Sequence, residues 1–298
     1  MTISKKFGLM VDFYRNKDPY LIKRILYNWY VYCLRLFFSI MPHKGIKVIE
    51  EDWDCLLVLD ACRYDMFKKV YKDYFNQGVL HKKKSLASCT KDWLLKNFKK
   101  KLNDIVYVSG TPYVTRINSD AAFDGNKFHF VEEVWIEKWK NDTTPPEEMA
   151  KAILKIIKKY PHKRIIAHFL QPHTPYIGKT KIPQEFYKSV QSKLKTKKFR
   201  PVHALEDGIK YGHLDLDLVK MAYEDNLRIA LEEIKKIIDK LDGKIVITAD
   251  HGECFGEKGL YFHEVGIYIK ELVEVPWFII EKRIKKNTEQ DLLDSISI

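Results

Sequence analysis

Residues 244–259 read KIVITADHGECFGEKG: a short β-branched run that ends on a carboxylate, followed by a histidine, a glycine and a second carboxylate. An apolar run with no polar alternation suits a strand buried on both faces, as in a parallel sheet covered by helices. Asp250 and His251 then stand just beyond its carboxyl end, where open α/β sheets put their sites. Runs of the same kind recur outward from this one: DCLLVLD (54–60), IVYVSG (105–110), RIIAHFLQ (164–171) and VPWFII (275–280). Between them, apolar positions repeat at helical spacing over 62–74, 90–100, 145–160 and about 215–241. This alternation predicts an α/β domain with a mainly parallel central sheet and helices on both faces. The segment 176–213, broken by Lys, Gly and Pro, reads as an insertion over the sheet edge.

The chain has 298 residues, with 52 Lys plus Arg against 40 Asp plus Glu, a formal net charge of +12. A charged share of 31% beside 46% hydrophobic residues excludes a disordered polyelectrolyte and a polytopic membrane protein. The lysines are dispersed and no nucleic-acid signature accompanies them, so nucleic acid is not an expected partner. Five cysteines without a CxxC pair suit a reducing compartment. The first twenty residues lack the apolar core and cleavage site of a secretory signal, so the expected location is cytoplasmic.

Residues 25–42, ILYNWYVYCLRLFFSIMP, form the most apolar stretch and are flanked by Lys23, Arg24, Lys44 and Lys47. Arg35 near the middle would cost about 2.5–3.5 kcal/mol in a bilayer core, which argues against a spanning helix. Asn28, Tyr32, Arg35 and Ser39 recur at helical spacing and describe an amphipathic helix. It packs on its own domain, or it lies at a membrane interface as a peripheral contact, which would put the protein at the inner membrane surface. The expected organisation is an N-terminal helical arm over 1–48 and a catalytic domain over 49–298.

Asp60 ends the run CLLVLD as Asp250 ends IVITAD, so an acid stands at each of two strand ends with His251 beside one of them. Such a set suits a divalent ion, although either acid alone reads more readily as a helix cap. His173 lies between Pro172 and Pro175, and His263 follows a Gly-rich turn; both read as ligands or substrate contacts. His168, inside an apolar run, reads as a core histidine. Ser88, Cys89 and Thr90 immediately precede a helical pattern, so one of them begins a helix whose free N–H groups would stabilise an anion.

The order of LLVLDACRYD, SLASCTKDWL, HFLQPHTPY, VITADHGECFGEKG with the following His263, and VEVPWFII resembles the alkaline phosphatase superfamily, in its sulfatase-like branch, over roughly residues 50–281. The resemblance implies an alkaline phosphatase-like fold and a metal held by Asp60, Thr90, Asp250 and His251. It implies that His173 and His263 complete a second metal site or grip the anionic group, with Arg63 on the substrate side. Thr90 is the implied nucleophile and His173 a second catalytic residue; Ser88 and Cys89 are alternative nucleophiles. One or two divalent ions are implied, as zinc, manganese, magnesium or calcium. The implied activity is metal-dependent hydrolysis or transfer of a phosphate ester; the basic surface and the amphipathic arm point to an anionic substrate that is glycan- or lipid-linked. Sulfate ester hydrolysis is the alternative, but Cys89 lacks the Pro and Arg that follow a formylglycine-forming cysteine, and Leu59 and Ala61 stand where sulfatases carry a second Asp. An alternative of another class is a catalytically silent module that binds anionic polymers.

Overall fold

The computed structural model describes residues 20–117, 123–183, 186 and 204–282. It divides into two compact units, Met1–Pro42 and His43–Ile298. In the second unit a seven-stranded sheet contains β1 (Cys55–Leu59), β2 (Val79–Lys84), β3 (Leu102–Ser109), β4 (Phe128–Glu133), β5 (Arg164–Phe169), β6 (Lys244–Thr248) and β7 (Glu274–Glu281). Its order is β2-β7-β6-β1-β5-β3-β4. The strands from β6 to β4 are mutually parallel, whereas β7 runs antiparallel to both neighbours.

The continuous apolar runs follow from a sheet with two covered faces. Cys55, Leu57 and Leu59 of β1 pack with Phe67 and Val70 of α1 (Tyr64–Val70), Ile153 and Ile156 of α2 (Pro146–Lys159), and Leu227 and Leu231 of α3 (Leu216–Ile238). The intervening Leu56 and Val58 pack on the opposite face with Trp53, Phe98, and Trp93 and Leu94 of the helix Thr90–Asn97. Each such side chain contributes roughly 1.5–3 kcal/mol on burial. Local signals bound the helices: α2 opens on Pro146 with Glu147 and Glu148 in its first turn and ends on Lys158 and Lys159, matching the helix dipole. At the start of α3, the Asp215 side chain accepts from the Asp217 N–H.

The edges were not legible as strands. VLHKKK forms β2, antiparallel to β7, where Lys82 reaches diagonally to Glu274 in an ion pair, and FHFVEE forms β4 at the far edge. Charged edge strands of this kind resist pairing with other chains, and the charge hides the β pattern. Half of the 176–213 segment lies outside the described residues, which there include the short helix Ala204–Lys210.

Register decides what the sheet positions. β1 lies between β5 and β6, pairing Leu59 with Phe169 and Val58 with Thr248. Asp60, His173 and Asp250 therefore leave three adjacent parallel strands at the same carboxyl edge.

The first unit contains a helix, Leu21–Ile40, that exposes Leu26, Trp29, Leu36, Phe37 and Ile40. Among the described residues, no helix is long and apolar enough to cross a membrane.

Candidate metal centre

Asp60, Asp250 and His251 converge in the buried interior, each offering a ligand atom within 4.8 Å of the others. His251 Nε2 lies 3.5 Å from Asp60 Oδ1, 3.5 Å from Asp250 Oδ2 and 3.3 Å from Thr90 Oγ1. Its Nδ1 is 2.8 Å from the Gly252 carbonyl, which fixes the proton on Nδ1 and leaves the Nε2 lone pair for the cluster. Asp250 is held through its other oxygen: Oδ1 accepts from the N–H groups of Ala61, at 3.1 Å, and His251, at 2.9 Å.

Among the described residues, the buried Asp60 Oδ1 and Asp250 Oδ2 have no hydrogen-bond partner. Two buried carboxylates with unsatisfied oxygens are costly unless a cation or proton meets them. Burial, reinforced by repulsion from Asp250 and Glu253, pushes the Asp60 carboxyl well above its ordinary pKa. Burial alone would raise Asp250 too, but His251 and His168 hold it low. The orphaned oxygens, the aimed imidazole and the Thr90 hydroxyl fit a divalent ion.

A second cluster, His173, Glu253 and His263, offers another three ligand atoms within 4.8 Å of one another. His263 Nδ1 is 2.9 Å from Glu253 Oε1, while the buried Glu253 Oε2 has no partner among the described residues. Burial alone would lower the His263 pKa, but the Glu253 carboxylate outweighs it and the net shift is upward. His173 Nδ1 is 2.6 Å from the Thr174 carbonyl, and burial with the neighbouring His263 lowers its pKa to about 4, so its ring is neutral with Nε2 available. The two clusters adjoin: the His251 and His263 ring centroids are 4.5 Å apart, and the His173 N–H donates to the Asp60 carbonyl at 3.2 Å.

Glu253 had no assigned role in the sequence reading, although it stands in the same four-residue unit as Asp250 and His251. Gly252 between them is required by space, since a Cβ there would lie 2.0 Å from the Glu271 carbonyl oxygen. His168 was read as core and is fully buried, yet it also reaches the site. Its Nδ1 is 2.7 Å from the Tyr107 hydroxyl and its Nε2 3.7 Å from Asp250 Oδ2.

Of the three candidates, Thr90 is the first residue of the helix Thr90–Asn97, and Cys89, with an extended backbone, is its cap. The Ser88 hydroxyl donates to the Glu264 carbonyl at 2.9 Å and accepts from the Gly266 N–H at 3.0 Å, so it ties down the turn after His263. Burial pushes the Cys89 thiol up to about 11, away from the reactive thiolate. Arg63 is committed to Asp65, through Nε at 2.9 Å and Nη2 at 2.7 Å, and to Glu257 and the Glu253 carbonyl through Nη1.

No family model matches this chain, and no curated protein matches it. Solved structures do. The integral membrane protein lipooligosaccharide phosphoethanolamine transferase A from Neisseria meningitidis is 13% identical with a TM-score of 0.51; the match covers 94% of this chain and 59% of that one. The soluble domain of the same transferase is 13% identical at a TM-score of 0.47, covering 76% of this chain and 75% of its own. The phosphonate monoester hydrolase of Agrobacterium radiobacter is 13% identical at a TM-score of 0.46, covering 80% of this chain and 71% of its own. At these identities the likeness is one of fold, shared over 94% of this chain with the first of these structures.

Proposed function

We propose that this alkaline phosphatase-like chain is a metal-dependent phosphoester hydrolase or transferase with Thr90 as its nucleophile. The observation that carries the reading is the convergence of Asp60, Asp250, His251 and Thr90 in a buried cluster with two carboxylate oxygens unpartnered. Asp60, Asp250, His251 and Thr90 would hold one ion, and His173, Glu253 and His263 a second. Bound metal would lower the pKa of the Thr90 hydroxyl and neutralise the anionic ester oxygens that repel a nucleophile.

The chain's own residues supply the remainder. Thr90 gives up its hydroxyl proton to solvent as Oγ bonds to phosphorus, and the ester oxygen leaves with the electron pair of the broken bond and takes a proton from water. Free N–H groups in the first turn of the helix Thr90–Asn97 offer hydrogen bonds to the phosphoryl oxygens. Attack on the phosphothreonine by water completes hydrolysis, and attack by an acceptor hydroxyl completes transfer. The neutral His173 ring and the buried Glu253 favour ligand roles over proton transfer.

The substrate in this reading is a lipid- or glycan-linked phosphate ester met at a membrane surface. Its support is the helix Leu21–Ile40, which exposes apolar side chains, and the absence of any acidic residue over 21–49. The site is tested by metal analysis together with nitrophenyl phosphate mono- and diester turnover. Chelation should abolish activity and zinc or manganese restore it; full activity in a metal-free chain would overturn the reading. The surface is tested by changing Leu26 and Leu36 together to Asp, which should abolish co-sedimentation with anionic vesicles and leave turnover of soluble esters intact. Unchanged co-sedimentation would remove the membrane reading.

A further inference from the structure

The turn after β1 and the loop after β5 carry ligands of different clusters, and both are held by one helix. Tyr223 and Asn226 on α3 are fully buried and three residues apart, which places them on one face about 4.5 Å apart along the axis. The Tyr223 hydroxyl donates to the Ala61 carbonyl at 2.7 Å and accepts from the Arg63 N–H at 2.9 Å, so both contacts fall in the turn that begins at Asp60. Ala61 lies in the left-handed region, with φ 61°, a conformation that costs a residue with a Cβ about 1–2 kcal/mol. Its two peptide groups are pinned from opposite sides, the N–H by Asp250 Oδ1 and the carbonyl by Tyr223.

Asn226 does the same for the other loop. Its Oδ1 accepts from the Ile177 N–H at 2.8 Å, and its Nδ2 is shared among the carbonyls of Pro172, His173 and Pro175 at 3.4, 3.1 and 3.1 Å. Four backbone groups around His173 thus converge on one side chain. The neighbouring Asp225 accepts from the Thr180 N–H at 2.9 Å, and Gly178 approaches it so closely that a Cβ would lie 2.6 Å from the Asp225 Cβ.

We propose that Tyr223 and Asn226 are positioning residues that set the two metal clusters at a fixed spacing, Tyr223 acting through the Asp60 turn and Asn226 through the His173 loop. A helix is suited to this because its rise per residue is nearly invariant, and two-metal sites need ions about 3.5–4 Å apart. The inference rests on the two-cluster metal reading and adds a selectivity that general loss of packing would not produce: each residue governs one cluster.

The test is titration of the full-length metal-free chain with Co2+, followed by its visible absorption and by calorimetry. The parent should take up two equivalents. Tyr223→Phe, which removes one oxygen, should weaken one equivalent by about 10- to 100-fold, the range for residues that orient metal ligands, and leave the other unchanged. Asn226→Ala should weaken the other equivalent by a similar factor and spare the one that Tyr223→Phe affects. If Asn226→Ala does not fold, Asn226→Asp keeps the acceptor for Ile177, removes the donors to the three carbonyls, and should show the same selective loss. A parent chain that binds no Co2+ refutes the metal reading itself. A parent that binds two, with variants that weaken both equivalents alike or neither, refutes the positioning roles alone.

Discussion

Changing Asp250 to Asn should reverse the sign of its effect on stability according to whether metal is present. In the metal-free chain Asp60 Oδ1 and Asp250 Oδ2 are buried without partners among the described residues. An Asn carbonyl can keep the two N–H contacts that Asp250 Oδ1 accepts from Ala61 and His251. Its amide then occupies the place of Oδ2, where His251 Nε2 lies 3.5 Å away, and can donate to that nitrogen or to Asp60. Burial makes His168 and His251 largely neutral, so the field that favours the Asp250 charge is weak near neutral pH, while the repulsion that raises Asp60 and up to two unsatisfied groups, each worth about 1–3 kcal/mol, disappear. The chelated variant should therefore melt above the chelated parent, by roughly 2–4 °C for each kcal/mol gained in a chain of this size. With metal the balance inverts. Removing one charged partner from a buried ionic cluster costs about 3–5 kcal/mol, which is about two to three and a half orders of magnitude in metal affinity. Thermal melts of parent and variant, each with chelator and with saturating zinc, measure both arms, and calorimetry measures the affinity. A variant that is less stable than the parent by the same amount in both conditions, or that keeps parental metal affinity, would refute the argument that Asp250 Oδ2 is a ligand waiting for a cation.

Thr90→Ala should lower turnover at least about a hundredfold while metal binding largely survives through the remaining ligands, and mass spectrometry of the stalled parent enzyme should map phosphate to Thr90; phosphate on Ser88 or Cys89 would transfer the role. Acid should destabilise the chelated chain through His168, whose pKa burial lowers from 6.5 to about 4: the stability present above pH 6.5 is lost as pH falls toward 4, because the unfolded chain takes the proton first. Chelated His168→Gln should lose about 2 kcal/mol less than the parent between pH 7 and 5 by urea denaturation, and equal losses would show that His168 does not titrate this way. Arg63→Ala should destabilise the fold by about 2–3 kcal/mol, a figure reduced for the exposure of Asp65, and leave KM for the ester unchanged. A raised KM with parental stability would put Arg63 on the substrate instead.

The strand–helix alternation was legible because it is written locally. A strand covered on both faces must be apolar at every position, and a helix covered on one face must be apolar at every third or fourth, whatever the rest of the chain does. For the same reason Asp60, Asp250 and His251 stood out: a charged residue directly after such a run lies at the carboxyl edge of the sheet. The edge strands β2 and β4 were not legible, since most of their positions meet solvent at least in part and many carry Lys, His or Glu. Nothing local distinguishes His168 from a core histidine, because its neighbour Asp250 arrives from β6, two strands away in the sheet order. Glu253 acquires a role only when His173 comes off β5 and His263 returns beside it. Tyr223 and Asn226 look like ordinary positions on a long amphipathic helix, and only the packing of α3 behind the carboxyl edges of β1 and β5 turns them toward the turns they hold. Residue order determined which side chains stand at strand ends. The order of strands within the sheet, set by long-range pairing and by no local pattern, decided which of those ends meet.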